Sequence, residues 1–314
     1  MSVTVETKEG RVLSEKRRKK KCNLQNRLGI PSKILLYGIL LLFGLMCFLP
    51  FLMMISSSIT SDDYIYQYGF PLLPKDIDFE AYHFLSFYAS NILTGYKITV
   101  FTTVVGTVVS LLMCILTAYP LSNMEFRFRG AVSFYVFFTM MFGGGMVPYY
   151  ILVKRYLHLD NTVWVMILPL LLNPGNVFLL RIFMQNNPKE IYESARLDGA
   201  GEYSILFRIV CPCVKSGIAT VALFIVLQYW NEIVTPQLFI DKAELSPLAN
   251  ILNNLANSVG RPVTGSTTGM GGAMELTNSM LFAMCIVAAG PMVFVFQFFQ
   301  KYFVEGLVMG SVKG

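Results

Sequence analysis

Ile34–Ile55 runs for 22 residues without one charged side chain. At about 1.5 Å of rise per residue, roughly 20 residues cross the hydrocarbon core of a bilayer. The run is longer than the ~7–15 apolar residues of a signal-peptide core, and no small-x-small cleavage site closes it. Four more uncharged runs reach that length: Ile98–Met124, Gly130–Val153, Asn161–Leu180 and Leu276–Gln300. A further span, Ser216–Pro236, is strictly uncharged only to Asn231 and sets Glu232 near the interface. Only 14% of the chain is charged and 54% is hydrophobic, where a soluble domain is about a quarter charged. The expectation is an all-α integral membrane protein with six transmembrane helices.

Loop charge orients those helices. With the N-terminus inside, the inner segments hold nineteen Lys and Arg and the outer ones six, an N-in, C-in arrangement by the positive-inside rule. Residues 1–33 are then a basic cytoplasmic tail with ten Lys or Arg, including Lys16–Lys21. The first helix, 34–55, leads to an external loop, 56–97. Residues 98–303 form the core, with a second external loop at 241–275, and 304–314 are a cytoplasmic tail. The net charge of +6 gathers at the ends of apolar segments, which fits topology and not nucleic acid. Cys211 and Cys213 lack a second pair or a nearby His, so no metal site is expected. The two histidines, His83 and His158, lie in external segments.

One polar stretch stands apart, Asn187–Pro212, which this topology puts in the cytoplasm. Asn187 is a candidate cap for a helix starting at Pro188, with Glu190 reaching back. Gly199 and Gly201 flank its end, where a left-handed residue is needed. A second short helix follows, with Tyr203, Leu206, Phe207 and Val210 spaced as one buried face. Pro212 is expected to end that helix and start the fifth span. Upstream, Gly143–Gly145 and Pro148 interrupt the third span, and such a break is tolerated only where protein or water covers the freed backbone. In the second span, Gly106, Ser110, Thr102, Thr103 and Thr107 allow close helix packing.

The polar stretch resembles the EAA loop of bacterial ABC-importer permeases. Glu193-Ser194-Ala195, then Gly199, then Ile209-Val210-Cys211-Pro212 follow that motif with both gaps kept. Ser194 stands for an alanine and Cys211 for a leucine. Arg196-Leu197-Asp198-Gly199-Ala200 is similar to the carbohydrate-type permeases, as are Gln228–Glu232 and the GLVMGSVKG ending, Gly306–Gly314. The resemblance implies a type I ABC importer permease fold in the bacterial cytoplasmic membrane, with cytoplasmic EAA coupling helices. It implies a second permease as heterodimer partner, a cytoplasmic ATPase dimer and an extracytoplasmic substrate-binding protein. An oligosaccharide, of the aldouronate type, is the implied cargo. ATP and Mg would bind the ATPase, with no cofactor in this chain, which lacks a Gly-x-x-x-x-Gly-Lys-Ser/Thr loop.

Candidate ATPase-coupling residues follow from the match: Glu193, Ser194, Ala195, Asp198, Gly199, Ala200, Ile209 and Pro212. Glu193 either meets donors on the ATPase or pairs with Arg196 one turn on. The flexible end, Gly310, Ser311, Val312, Lys313 and Gly314, either frays or reaches the ATPase. For the substrate pathway, Asn173 and Asn176 lie at a mid-span break. Gln228, Tyr229, Trp230 and Asn231 offer amides and aromatic faces suited to sugars. Ordinary interhelical packing explains the same residues. A membrane enzyme is disfavoured, since no His-Glu-x-x-His, Gly-x-Ser-x-Gly or intramembrane carboxylate pair occurs. An ion-coupled secondary transporter is the alternative, although no span carries an ionisable residue near its middle.

Overall fold

A computed structural model describes residues 30–257 and 277–311. Four of its helices are long and apolar enough to cross a membrane. They are α1 (Ile30–Ser58), α4 (Ala89–Ser122), α11 (Lys215–Trp230, with its continuation to Phe239) and α14 (Asn278–Ser311). Two bent pairs complete the six candidate spans. The first is α5 (Arg129–Met141) with α6 (Met146–Ile151), which runs on as a π-helix over Leu152–Tyr156. The second is α7 (Trp164–Ile167), which continues to Leu170, with α8 (Pro174–Gln185).

The external segment 56–97 is largely helical. It holds α2 (Asp62–Tyr68), α3 (Glu80–Phe87) and the first turns of α4. The helix of the second span therefore begins at Ala89, well before Ile98, and carries the exposed Lys97. Asp62 fastens this outer layer to the last span, its carboxylate accepting from Ser279 N at 3.1 Å and Ser279 Oγ at 2.8 Å.

The third span turns by 107° at Phe142–Gly145. α5 has 13 residues, about 20 Å of helix, too short to cross alone, so α6 leaves at a steep angle instead of completing one straight crossing. The fourth span bends by 49°. Asn173 ends the bend by capping α8, and the helix runs past Arg181 to Gln185. The fifth span stops at Trp230, and α12 (Val234–Phe239) restarts with Glu232 Oε1 accepting from Thr235 N and Oγ1, both at 2.8 Å. The last helix continues to Ser311, so the tail expected from residue 304 begins as helix.

α4, α8 and α11 form the centre. Cys114, Leu121, Val177, Leu180, Val221 and Ile225 are buried among them. The contact is close because α4 lines it with small residues. A Cβ added at Gly106 would meet the Tyr229 ring at 2.5 Å. A second cluster closes the outer side, where α13 (Leu248–Ala256) packs Leu248 and Leu255 against Phe84, Met280 and Ala283. α1 is exposed along most of its length, and packs mainly on α14.

Candidate functional site

At the inner end, Met184 leads by a short corner into α9 (Lys189–Leu197). Asn187 does not cap it. Pro188 occupies the cap position with extended ψ and no side-chain bond. Pro188 fixes its own φ, and the Asn187 amide is drawn instead to Tyr192, donating to the phenol oxygen at 3.3 Å. Tyr192 in turn donates to Met184 O at 3.2 Å, which folds α9 back under α8. Burial raises the Tyr192 phenol above its ordinary pKa. The Glu190 side chain, expected to reach back to the cap, lies outside the described ones.

The end of α9 is closed by a Schellman motif. Gly199 N donates to Arg196 O and Ala200 N to Ala195 O, each at 3.0 Å. Gly199 takes φ +77°, and open space surrounds it. A side chain there would clash with nothing and still be strained, because the left-handed backbone disfavours any Cβ. Ala195 is buried and Ala200 packs on the same core, supplying the apolar contact of the motif. Ala195 and Gly199 thus set the shape of the bend, while Ser194, Asp198 and Glu193 point outward.

α10 starts at Glu202–Ser204, widens into a π-helix over Ile205–Val210 and closes with Cys211–Cys213. Its buried face is Ile205, Leu206 and Val210, with Ile209 half-buried. Tyr203 and Phe207 are 75% and 45% exposed, contrary to the α-helical spacing. A π-turn holds more residues than an α-turn, so it rotates the flanking residues off the buried stripe. Nor does Pro212 end this helix. It sits inside the Cys211–Cys213 turn, and the break comes two residues on at Val214, φ −107°. The wide turn before it makes room for a ring with no N–H to give.

Arg196 ties three segments together. Its Nε donates to Glu202 Oε1 at 2.9 Å and its Nη1 to Glu125 Oε2 at 3.2 Å. Tyr119, at the inner end of α4, donates to the other Glu202 oxygen at 2.5 Å. The Tyr119 hydroxyl, and then Arg196, hold the Glu202 carboxyl below its usual pKa, and Glu202 raises that of Arg196. The Glu193–Arg196 pair weighed from sequence is not formed. Glu193 instead edges a cleft shared with Tyr119, Glu125, Gln185 and Asn187, about 620 Å³ including its open mouth. Tyr119, Glu125 and Glu202 were not singled out from sequence. Only the Arg196–Glu202 spacing across the Gly199 bend gave a local signal.

A second basic group lies nearby. Arg129 Nε donates to Leu121 O at 3.1 Å and Arg181 Nη1 to Ser133 Oγ at 3.2 Å. With its amide oxygen turned toward them, Gln185 accepts from Arg129 Nη2 at 2.9 Å and Arg181 Nε at 3.2 Å.

Among the residues suggested for a pathway, Asn173, Tyr229 and Asn231 bond to neighbouring helix groups. Asn173 Oδ1 accepts from Gly175 N at 2.9 Å and Asn176 N at 3.4 Å, a helix cap. Asn176 is buried. Tyr229 is 4% exposed; its hydroxyl donates to Ile167 O at 3.0 Å and lies 2.9 Å from Ser110 Oγ. Its ring and hydroxyl therefore serve helix packing. Asn231 is exposed and donates to Leu227 O at 3.0 Å, while Gln228 and Trp230 are half-buried. At the C-terminus, Gly310 and Ser311 extend α14, and Val312, Lys313 and Gly314 lie outside the described residues. Among the described residues no three His, Cys, Asp or Glu side chains gather as for a metal.

On the outer side Asn161 forms a clip without an ion pair, its Nδ2 donating to Asp241 Oδ2 at 3.2 Å. Asn161, at φ +55°, donates through its backbone to Phe239 O at 2.8 Å and accepts on Oδ1 from Asp241 N at 2.7 Å. It joins the loop before α7 to the segment after α12.

Comparison with known proteins gives a consistent result. Residues 110–308 match the family described as "Binding-protein-dependent transport system inner membrane component". The polygalacturonan/rhamnogalacturonan transport system permease protein YtcP of Bacillus subtilis (strain 168) is 36% identical over 292 residues, 93% of this chain and all of that protein. Protein LplC of the same organism is 35% identical, covering 86% of this chain and 91% of its own. Among solved structures, a bacterial ABC transporter involved in the import of the acidic polysaccharide alginate has a chain that superposes with TM-score 0.75 at 29% identity. That match covers 88% of this chain and 99% of the other.

Proposed function

The chain belongs to the family of binding-protein-dependent transport system inner membrane components, the permease subunits of ABC importers, and we propose that it forms half of a pathway for an acidic oligosaccharide. It is a transport subunit and not an enzyme. A second permease completes the pathway, and an extracytoplasmic binding protein delivers the cargo. ATP and its magnesium ion act on a separate ATPase dimer. The uronate character of the cargo is supported by two relatives named for acidic polymers, polygalacturonan/rhamnogalacturonan and alginate.

The observation that carries the coupling role is the helix–bend–helix Lys189–Cys213. α9 turns Ala195 into the core and leaves Glu193 at an open cleft. An ATPase gripping α9 pushes on a closed unit, because the Schellman bonds and Arg196 both resist bending at Gly199. Displacement then passes through Glu202 to Tyr119 and so to α4, which packs on α8 and α11. The end Gly310–Gly314 is assigned to the same partner. Gln228, Trp230 and Asn231, with Asn176, remain the proposed pathway contacts, and Tyr229 supports them by packing.

The test is ATP-dependent uptake of labelled oligogalacturonide by proteoliposomes holding both permeases, the ATPase and the binding protein. Gly199→Val costs about 1–2 kcal/mol of backbone strain, a factor of roughly 5–30 in the population of the docking conformation. Uptake and ATPase stimulation should fall together by that factor. Full coupling in Gly199→Val removes the role given to the bend. Uptake that persists without the ATPase favours a secondary transporter.

A further inference from the structure

Arg129 and Arg181 differ from Arg196 in meeting no acid among the described residues. The ion pairs among the described residues both belong to Arg196. Yet the two guanidinium groups converge. One nitrogen of each bonds the same Gln185 oxygen, at 2.9 and 3.2 Å, so those nitrogens stand at most about 6 Å apart. Each guanidinium spends two donors on neutral oxygens of Leu121, Ser133 and Gln185 and keeps its remaining N–H groups. Two like charges held together by neutral partners call for an anion.

The surroundings say which kind. Arg129 is the first residue of α5, a 13-residue helix whose start no side chain caps, so the positive end of its dipole adds to the two guanidinium charges. Both arginines are half-buried at the inner end of their spans, the cytoplasmic interface by the charge rule. Large apolar side chains flank them on the same helices and are exposed: Phe134 and Phe137 beyond Ser133, and Ile182 beside Arg181. A group with a phosphate at one end and hydrocarbon at the other matches that sequence of surfaces, and guanidinium forks bind phosphate oxygens in pairs.

We propose that Arg129 and Arg181, with Gln185 fixing their spacing, hold the phosphate of one inner-leaflet phospholipid. The site would anchor α5 to α8 next to the cleft that Gln185 also lines. It does not depend on the cargo or on coupling, and its test reads bound lipid rather than transport.

The assembled importer, purified in mild detergent after extraction from membranes containing phosphatidylglycerol, is weighed by native mass spectrometry. Wild type should retain lipid adducts that the Arg129→Gln/Arg181→Gln double variant loses, with affinity falling roughly fivefold per arginine. Arg127→Gln should leave them unchanged, since Arg127 is exposed beside the same loop with its guanidinium over the Phe128 ring. Adducts that survive added inorganic phosphate identify the lipid headgroup. Displacement by inorganic phosphate overturns the lipid and assigns the site to free phosphate. Equal adducts in wild type and double variant, or loss of the ATPase subunit from the double variant alone, overturn the phosphate site, the latter pointing to a protein carboxylate. If the double variant fails to assemble, Arg181→Lys, which keeps the charge without the fork, gives the same reading at lower amplitude.

Discussion

Arg196 and the Arg129–Arg181 pair occupy the same end of the bundle and treat positive charge in opposite ways. Arg196 is paired with acids from within the chain, Glu202 and Glu125. Among the described residues Arg129 and Arg181 meet only neutral oxygens. Charge counting treats all three alike, as inner-side residues. Geometry separates a group that ties the chain to itself from one that faces outward. The first is expected to carry force between segments. The second is expected to report on what surrounds the protein.

The comparison is broken most severely by Arg196→Ala. Three segments lose their common donor, and Glu202 keeps only Tyr119. Bonds to charged groups are worth about 1.5–3 kcal/mol where shielded, and the partly exposed site discounts this toward ~1 kcal/mol. Binding-protein-stimulated ATPase activity should fall roughly fivefold or more, with lipid retention unchanged. Intact stimulation would mean that the arginine is ornamental to coupling.

A milder perturbation is pH. The folded-state pKa of Glu202 lies below its ordinary value, so the stabilisation is fully present above the usual carboxylate range and is lost as pH falls through the lowered value. Thermal unfolding followed from pH 7 to about pH 3 should therefore show an acid-side decline that Glu202→Gln reduces, its starting stability being lower. A decline of the same size in Glu202→Gln would assign the acid sensitivity to other groups.

The smallest effect belongs to the outer clip. Asn161→Ala removes side-chain bonds on an exposed loop, one of them to the Asp241 carboxylate, each worth about 1 kcal/mol at most there, and leaves an alanine at a positive φ that asparagine tolerates better. Unfolding temperature should move by a degree or two, about the same at 50 mM and 500 mM salt, whereas salt should weaken the Arg196 ties. A strong salt dependence at Asn161 would erase the contrast between the two ends.

Much of the architecture was legible because bilayer thickness and charge are read directly from composition along the chain. The bend at Gly199 was legible too, since a glycine at a helix end has a specific backbone use. Other features depended on geometry that spacing does not encode. Tyr203 and Phe207 were assigned inward on an α-helical period, and the π-helix over Ile205–Val210 changes that period. Tyr229 looked like a sugar-stacking ring, yet the absence of a side chain at Gly106, more than a hundred residues earlier, opens the slot that buries it. The partners of Arg196 lie on other segments, Glu125 being 71 residues away, so no local pattern links them. For the same reason Arg181 was legible as an inner-end marker but not as one half of a pair.

The turn after α5 bears on the lipid in another way. A 34-residue helix such as α4 adjusts to a thicker or thinner bilayer by tilting. α5 has only about 20 Å of helix against a hydrocarbon core of about 30 Å. Its remaining reach comes from the Phe142–Gly145 link, across which the chain turns by 107°. A change in membrane thickness would therefore be met here at a four-residue joint, where α4 would meet it by tilting.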